Sequence, residues 1–138
     1  MKTIVKVIPL VLLAMLMVAC GGGGEESEGS APVSFTVTGD DAFVYDPKTL
    51  SAPTGSEVTV TFKNIGGLDH NWILVTDDTD VLTVTEADAL SGANAGMVTG
   101  GTEKTFTFVA PAAGTYKYVC TVAGHAAGGM VGTFTVTE

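Results

Sequence analysis

Residues Val58-Thr59-Val60-Thr61-Phe62-Lys63 alternate apolar and polar side chains with a period of two. Successive residues of a strand point to opposite faces of its sheet. The pattern therefore places Val58, Val60 and Phe62 on a dry face and Thr59, Thr61 and Lys63 on a wet one. The same alternation recurs in Val33-Ser34-Phe35-Thr36-Val37-Thr38, in Thr105-Phe106-Thr107-Phe108 and in Thr133-Phe134-Thr135-Val136-Thr137. Val, Phe and Thr suit a pleated, half-buried surface. These four runs read as half-buried strands of an antiparallel kind.

Working outward, residues 42–45, 71–75 and 115–120 are further strand candidates. The breaks between them carry turn residues: Gly39-Asp40, Asp46-Pro47, Ala52-Pro53-Thr54-Gly55, Gly66-Gly67, Gly100-Gly101 and Pro111-Ala112-Ala113-Gly114. Such dipeptides supply the left-handed or fixed φ values that turns require. Residues 84–90 differ. Thr85 is a candidate N-cap with Asp88 three residues on, a capping-box-like start for one short helix. Seven or eight short strands with one short helix, and turns every eight to twelve residues, predict an all-β fold, a Greek-key β-sandwich. No internal repeat is visible, and one such domain over residues 31–138 accounts for the chain.

The first twenty residues, MKTIVKVIPLVLLAMLMVAC, do not belong to that pattern. Lys2 and Lys6 precede an apolar run that is too short to span a bilayer, and small residues follow it. Residues 1–19 read as a secretory signal peptide. Met17-Val18-Ala19-Cys20 resembles a bacterial lipoprotein cleavage site, at which Cys20 becomes the acylated first residue. Residues 20–30 hold four consecutive glycines and then acids and serines, a flexible tether with nothing to bury. More than one acyl chain holds a soluble domain on a membrane. The expected location is thus the outer face of the cytoplasmic membrane.

Formal charge is −9 with no arginine, and it becomes −11 once Lys2 and Lys6 leave with the signal. Nucleic-acid binding needs clustered Lys and Arg, so that class is excluded. A basic partner would be favoured instead. The chain has two cysteines, Cys20 and Cys120. With Cys20 lipidated, Cys120 is left single in an oxidising compartment, where a lone thiol needs burial or a metal.

The only two histidines are His70 and His125. Between Cys120 and Met130 the sequence reads CTVAGHAAGGM, which puts Cys, His and Met on one loop at C-x4-H-x4-M. His70 comes from a separate glycine-rich turn, GGLDHNW. Two imidazoles, a thiolate and a thioether are the donor set of a type 1 copper site. Sulfur suits Cu(I) and nitrogen suits Cu(II), so a His2Cys plane with a weak axial Met accommodates both valences. Structural zinc prefers Cys and His without Met. Taken singly, each residue has a plainer reading: a buried Cys as a small hydrophobe, a core Met, a solvated His.

With these residues in view, the chain from Val33 to Glu138 resembles the cupredoxins, and within them azurins and auracyanins. Asp69-His70-Asn71-Trp72-Ile73-Leu74 is close to the azurin-type His-Asn-Trp, and Cys120-Thr121-Val122-Ala123-Gly124-His125 has the Cys-x4-His spacing of both groups. Four residues between His125 and Met130 match auracyanins rather than azurins. Ala123 stands where a Pro is common, and Asp69 where azurins carry Gly. The resemblance implies one type 1 copper held by His70, Cys120, His125 and Met130. It also implies that the Asn71 N–H donates to the Cys120 sulfur and that the Asn71 side chain ties to Thr121.

The expected function is that of a membrane-tethered blue copper protein shuttling single electrons between redox protein partners. The partners implied by the resemblance are a cytochrome, a quinol-oxidising complex or a reaction centre, and the domain is expected to be monomeric. His125, in a loop of Ala and Gly where nothing bulky should cover its ring, is expected to be the electron port. A copper-binding or copper-delivery lipoprotein without a shuttle role is the alternative, and a metal-free interaction module a further one. An enzyme is not expected, because four ligands fill the metal and leave no position for substrate. The chain lacks Gly-x-Ser-x-Gly, and Asp77-Asp78-Thr79-Asp80 lacks the Gly and distal Glu of a calcium-hand loop.

Overall fold

The computed structural model describes residues 30–138. The expected signal segment, Cys20 and all but the last residue of the expected tether lie outside the described residues. Eight strands follow in chain order: β1 (Val33–Gly39), β2 (Tyr45–Asp46), β3 (Thr49–Pro53), β4 (Glu57–Asn64), β5 (Ile73–Thr76), β6 (Glu103–Val109), β7 (Gly114–Val119) and β8 (Val131–Thr137). They form two four-stranded sheets, ordered β2-β1-β4-β6 and β3-β8-β7-β5. This is the all-β sandwich that the alternation predicts.

The dry faces pack against one another as that pattern requires. Val37, Val58, Val60, Phe62 and Phe108 from the first sheet share one core with Leu50, Ala52, Leu74, Tyr118, Phe134 and Val136 from the second. Full burial of a side chain of this size contributes about 1.5–3 kcal/mol. Trp72 fills the middle, stacked on Tyr118 at 5.2 Å between ring centroids and tilted against Phe106 at 5.3 Å. On the wet face of β4 and β6, Thr59 meets Thr107 at 3.2 Å and Thr61 meets Thr105 at 2.9 Å. These cross-strand hydroxyl pairs help to fix register.

Besides β3, which the sequence reading does not offer and whose Ala52 and Pro53 it places in a break, three features depart from that reading. First, β1 pairs parallel with β4, from Val33↔Val58 to Gly39↔Asn64, and β3 pairs parallel with β8. Between β1 and β4 the chain passes through β2 and β3, and that detour returns it in the same sense instead of by a hairpin. Alternation reports which face is buried and carries nothing about a neighbour's direction. Second, residues 42–44 form a turn. The Asp40 carboxylate accepts the Ala42 N–H at 3.0 Å and the Asp40 carbonyl accepts the Phe43 N–H at 3.1 Å. The short Asp side chain thus closes its own turn, and only Tyr45 and Asp46 pair with β1. Third, the expected helix is a three-residue 3-10 turn, Glu86–Asp88. The Asp88 carboxylate accepts both the backbone N–H and the hydroxyl of Thr85, at 2.8 and 2.9 Å. The turn ends because Ala89 is extended and the Leu90 N–H donates to the Leu74 carbonyl at 2.8 Å.

That last bond explains the apolar run Trp72-Ile73-Leu74-Val75. Leu74 faces the main core, while Ile73 and Val75 face a second cluster with Val119 and Ala126. The excursion after β5 supplies Val81, Val84 and Ala89 to cover it. β5 is therefore buried on both faces, and a strand so placed loses its alternation.

Candidate metal centre

The two strands that carry the Cys120–Met130 loop dictate its shape. β7 and β8 are antiparallel and end on the pair Val119↔Val131. One residue further, Cys120 and Met130 face each other, and the Cys120 N–H donates to the Met130 carbonyl at 3.2 Å. The nine residues between them fold on themselves: His125 N–H to the Val122 carbonyl at 2.9 Å, Gly128 N–H to Gly124 at 2.8 Å, and Met130 N–H to the His125 carbonyl at 3.0 Å. His125 is drawn back over the strand ends by these bonds, toward the sulfur of Cys120.

His70 arrives from the other side, just ahead of β5. An antiparallel bridge to Val98 holds it, with His70 N–H to the Val98 carbonyl at 3.1 Å and the reverse bond at 2.8 Å. The buried Asn64 amide donates to the carbonyls of Leu68 and Val98 at 2.7 and 2.8 Å, bracing the turn that leads to His70.

The outcome is a buried trio, His70, Cys120 and His125, whose donor atoms all lie within 4.8 Å of one another. The Cys120 Sγ is 3.9 Å from His70 Nδ1 and 3.6 Å from His125 Nδ1, and the two Nδ1 atoms are 3.0 Å apart. Metal arms of about 2.0 Å to nitrogen and about 2.3 Å to sulfur span such separations at angles of roughly 95 to 130°, close to a trigonal set. Without a metal, the short Nδ1–Nδ1 approach is a hydrogen bond in which one ring carries the proton. The residues therefore fit one type 1 copper, in donor type and in spacing.

Met130 is fully buried and belongs to the main core. A Cβ on Gly39 would lie 2.7 Å from the Met130 Cε and 2.9 Å from the Phe62 ring, so glycine at the end of β1 lets both side chains pack there. Asn71 links the two sides of the centre. Its N–H donates to the Cys120 Sγ at 3.5 Å, its amide donates to the Thr121 hydroxyl at 2.7 Å and to Glu86 at 3.1 Å, and its side-chain oxygen accepts the Thr121 N–H at 2.7 Å. The Tyr45 hydroxyl, buried below, donates to the Asn71 carbonyl at 2.5 Å.

Burial pushes the Cys120 thiol above its ordinary range, against the opposing pull of the Asn71 and Val122 N–H groups. Burial, together with the charge of His70, pulls the His125 imidazole below its ordinary value. Both effects follow from charging a group inside a dry site.

Several residues that matter here carried no sequence signal. Asp41 reaches His70 Nε2 at 3.3 Å from a turn 29 residues away. Phe43 stacks on His125 at 4.3 Å with an interplanar angle of 30°, and a Cβ on Gly128 would sit 2.7 Å from its ring. The expectation that nothing bulky covers His125 is thus corrected. His125 is 7% exposed against 0% for His70. Of the two alanines that follow His125, Ala126 packs into the cluster of Ile73, Val75 and Val119, while Ala127 is exposed.

Comparison with known proteins agrees with this geometry. The family model of copper-binding proteins of the plastocyanin/azurin family matches residues 31–137. Auracyanin-A of Chloroflexus aurantiacus is 36% identical over 146 aligned residues, covering 84% of this chain and 86% of its own. Auracyanin-B of the same organism is 33% identical, covering 86% of this chain and 58% of its own. The crystal structure of reduced auracyanin from Roseiflexus castenholzii superposes with a TM-score of 0.68 at 31% identity, over 80% of this chain and 100% of that one.

Proposed function

The chain belongs to the plastocyanin/azurin family of copper-binding proteins, and from that premise we propose that it carries single electrons between redox proteins while lipid-anchored through Cys20 to the outer face of a cytoplasmic membrane. The observation that supports the carrier role is the convergence of His70, Cys120 and His125 in a buried site. Bound there, one copper supplies a one-electron Cu(II)/Cu(I) couple. His70, Cys120, His125 and Met130 would hold it, the Cys120 thiolate as the strongest donor and the Met130 thioether as the weakest.

The protein's part is to hold these groups still in both valences. Asn71 does so by joining the His70 strand to Thr121 on the loop, and its N–H withdraws electron density from the Cys120 sulfur. The loop bonds around His125 are local and leave the strands undisturbed. Such a site binds no substrate, and the protein is a carrier, not an enzyme. The less buried His125 is the electron port, with Phe43 against its ring and Ala127 at its rim. A cytochrome, a quinol-oxidising complex or a reaction centre is the partner class, and the chain's acidity favours a basic docking face.

One visible spectrum and one voltammogram of the copper-loaded full-length chain test the carrier reading. An intense blue band and a reversible couple without copper release are expected. Copper lost on reduction would instead indicate a delivery protein, and a colourless product a metal-free module. For the anchor, Cys20→Ser should move the protein from the membrane to the soluble fraction or leave its signal uncleaved. A membrane-bound mature chain with unmodified Cys20 in mass spectrometry would refute the lipid.

A further inference from the structure

We propose that Asp41 is a positioning residue for His70: its carboxylate accepts a hydrogen bond from Nε2–H, fixes Nδ1 as the lone-pair nitrogen turned toward the metal, and biases the site toward Cu(II). The inference rests on the copper reading above. Its geometric basis is the 3.3 Å approach of Asp41 Oδ1 to His70 Nε2. His70 is fully buried, and among the described residues Asp41 is the sole acceptor within reach of that nitrogen. A neutral imidazole carries one proton, so a proton held at Nε2 leaves Nδ1 bare. Nδ1 is the atom that faces Cys120 and His125.

The carboxylate is itself fixed by the loop it serves. It accepts the Gly67 N–H at 2.8 Å and the Leu68 N–H at 3.1 Å. One side chain thus grips residues 67, 68 and 70 together, so it moves with the ligand it orients. These N–H groups, the largest influence, and His70 hold its carboxyl below the usual carboxylate range. A full negative charge hydrogen-bonded to a ligating imidazole raises the ligand's basicity and stabilises the more positive valence. Asp41 is about half exposed, with 46% of its side chain accessible. Water screens it accordingly, and the effect belongs at the low end of the outer-partner range.

Asp41→Asn removes the charge and keeps one oxygen able to accept from Nε2 and the Leu68 N–H, giving up the Gly67 bond, which an amide nitrogen cannot accept. The preference for Cu(II) over Cu(I) should fall about tenfold, read as a potential raised by about 59 mV, with the blue band retained. Asp41→Ala removes the acceptor altogether. In the metal-free protein, nitrogen-resolved NMR of His70 should show the Nε2–H tautomer in the parent chain and a mixture in Asp41→Ala. A parent-like potential in Asp41→Asn would overturn the proposal, leaving Asp41 as a brace of the turn. So would a parent His70 protonated at Nδ1. The tautomer measurement needs no copper, so a chain that failed to take up the metal would sink the functional reading separately.

Discussion

His70 and His125 reach the same point from opposite kinds of structure. His70 is held by non-local contacts: the Val98 bridge, the Asn64 brace and the Asp41 carboxylate, each from a different part of the chain. The backbone of His125 is held by its own loop, through bonds that span only three to five residues. Contacts of long sequence separation tie a group to the global fold, while local ones allow a loop to open by itself. The site therefore has an anchored half and a semi-independent half. Cys120 stands at the seam, on a strand end yet within the loop, and Asn71 stitches the halves together.

Removing the seam breaks that comparison most completely. Cys120→Ser leaves two imidazoles without their sulfur. Loss of the blue colour is expected, with copper affinity reduced beyond the roughly 10–100-fold that an outer partner is worth. A blue Cys120→Ser protein in a visible spectrum would mean that the sulfur is not a ligand.

Cutting the stitch comes next. Asn71→Ala deletes the two 2.7 Å bonds with Thr121 and strands the Thr121 N–H. A lost hydrogen bond costs about 1 kcal/mol and an unsatisfied buried group about 1–3 kcal/mol, so denaturant unfolding should report a loss of about 2–4 kcal/mol. Since Glu86 also leans on this amide, Glu86→Gln is the milder control. An Asn71→Ala domain as stable as the parent would show the halves to be joined elsewhere.

The independent half can be probed at its cover. Phe43→Ala should uncover His125 and cost about 1–2 kcal/mol, less than the 3–5 kcal/mol of a fully buried Phe, because Phe43 is only partly buried. His125 ring resonances should shift more than those of His70, whose ring meets Phe43 only edge-on at 6.5 Å against 4.3 Å for His125. At the rim, Ala127→Glu should slow electron self-exchange at high salt, where long-range charge effects are screened. Equal shifts at both rings, or unaltered exchange, would erase the distinction between port and anchor.

The smallest effect concerns protons. The buried thiol of Cys120, raised above its ordinary range, is protonated in the metal-free protein at neutral pH. His125, lowered, is already neutral there. Copper uptake near pH 7 should thus release about one proton, and affinity should rise about tenfold per pH unit. The slope should steepen only in acid, as His125 begins to compete. Calorimetry in buffers of different ionisation enthalpy reads that release, and none at all near neutrality would contradict a buried, protonated Cys120 thiol.

Much of this was legible in the residues, and for identifiable reasons. Val58, Val60 and Phe62 show their buried face because a strand's period is local and every second residue repeats it. Cys120 and Met130 could be assigned to one loop because they flank it in sequence. The turn at residues 42–44 is hidden in the sequence because Ala42 and Phe43 look like a strand, and the Asp40 side chain that closes the turn competes only in three dimensions. The direction of β1 against β4 was hidden for the same kind of reason.

That last pairing also separates what the chain alone determined from what the tertiary structure decided. The sequence by itself determined the dry faces of the alternating strands, most of the turns, and the order and spacing of His70, Cys120, His125 and Met130, since each depends on neighbours a few residues apart. Only the folded structure decided which groups surround the histidines. β1 and β4 run parallel and end together at Gly39↔Asn64, and the Ile65 N–H bonds to the Gly39 carbonyl at 2.9 Å. The connections that follow therefore leave the sheet side by side, which brings Asp41 to His70. Phe43, from the same turn, reaches His125. No local pattern encodes that meeting, because it depends on the register of two strands separated by the whole detour through β2 and β3.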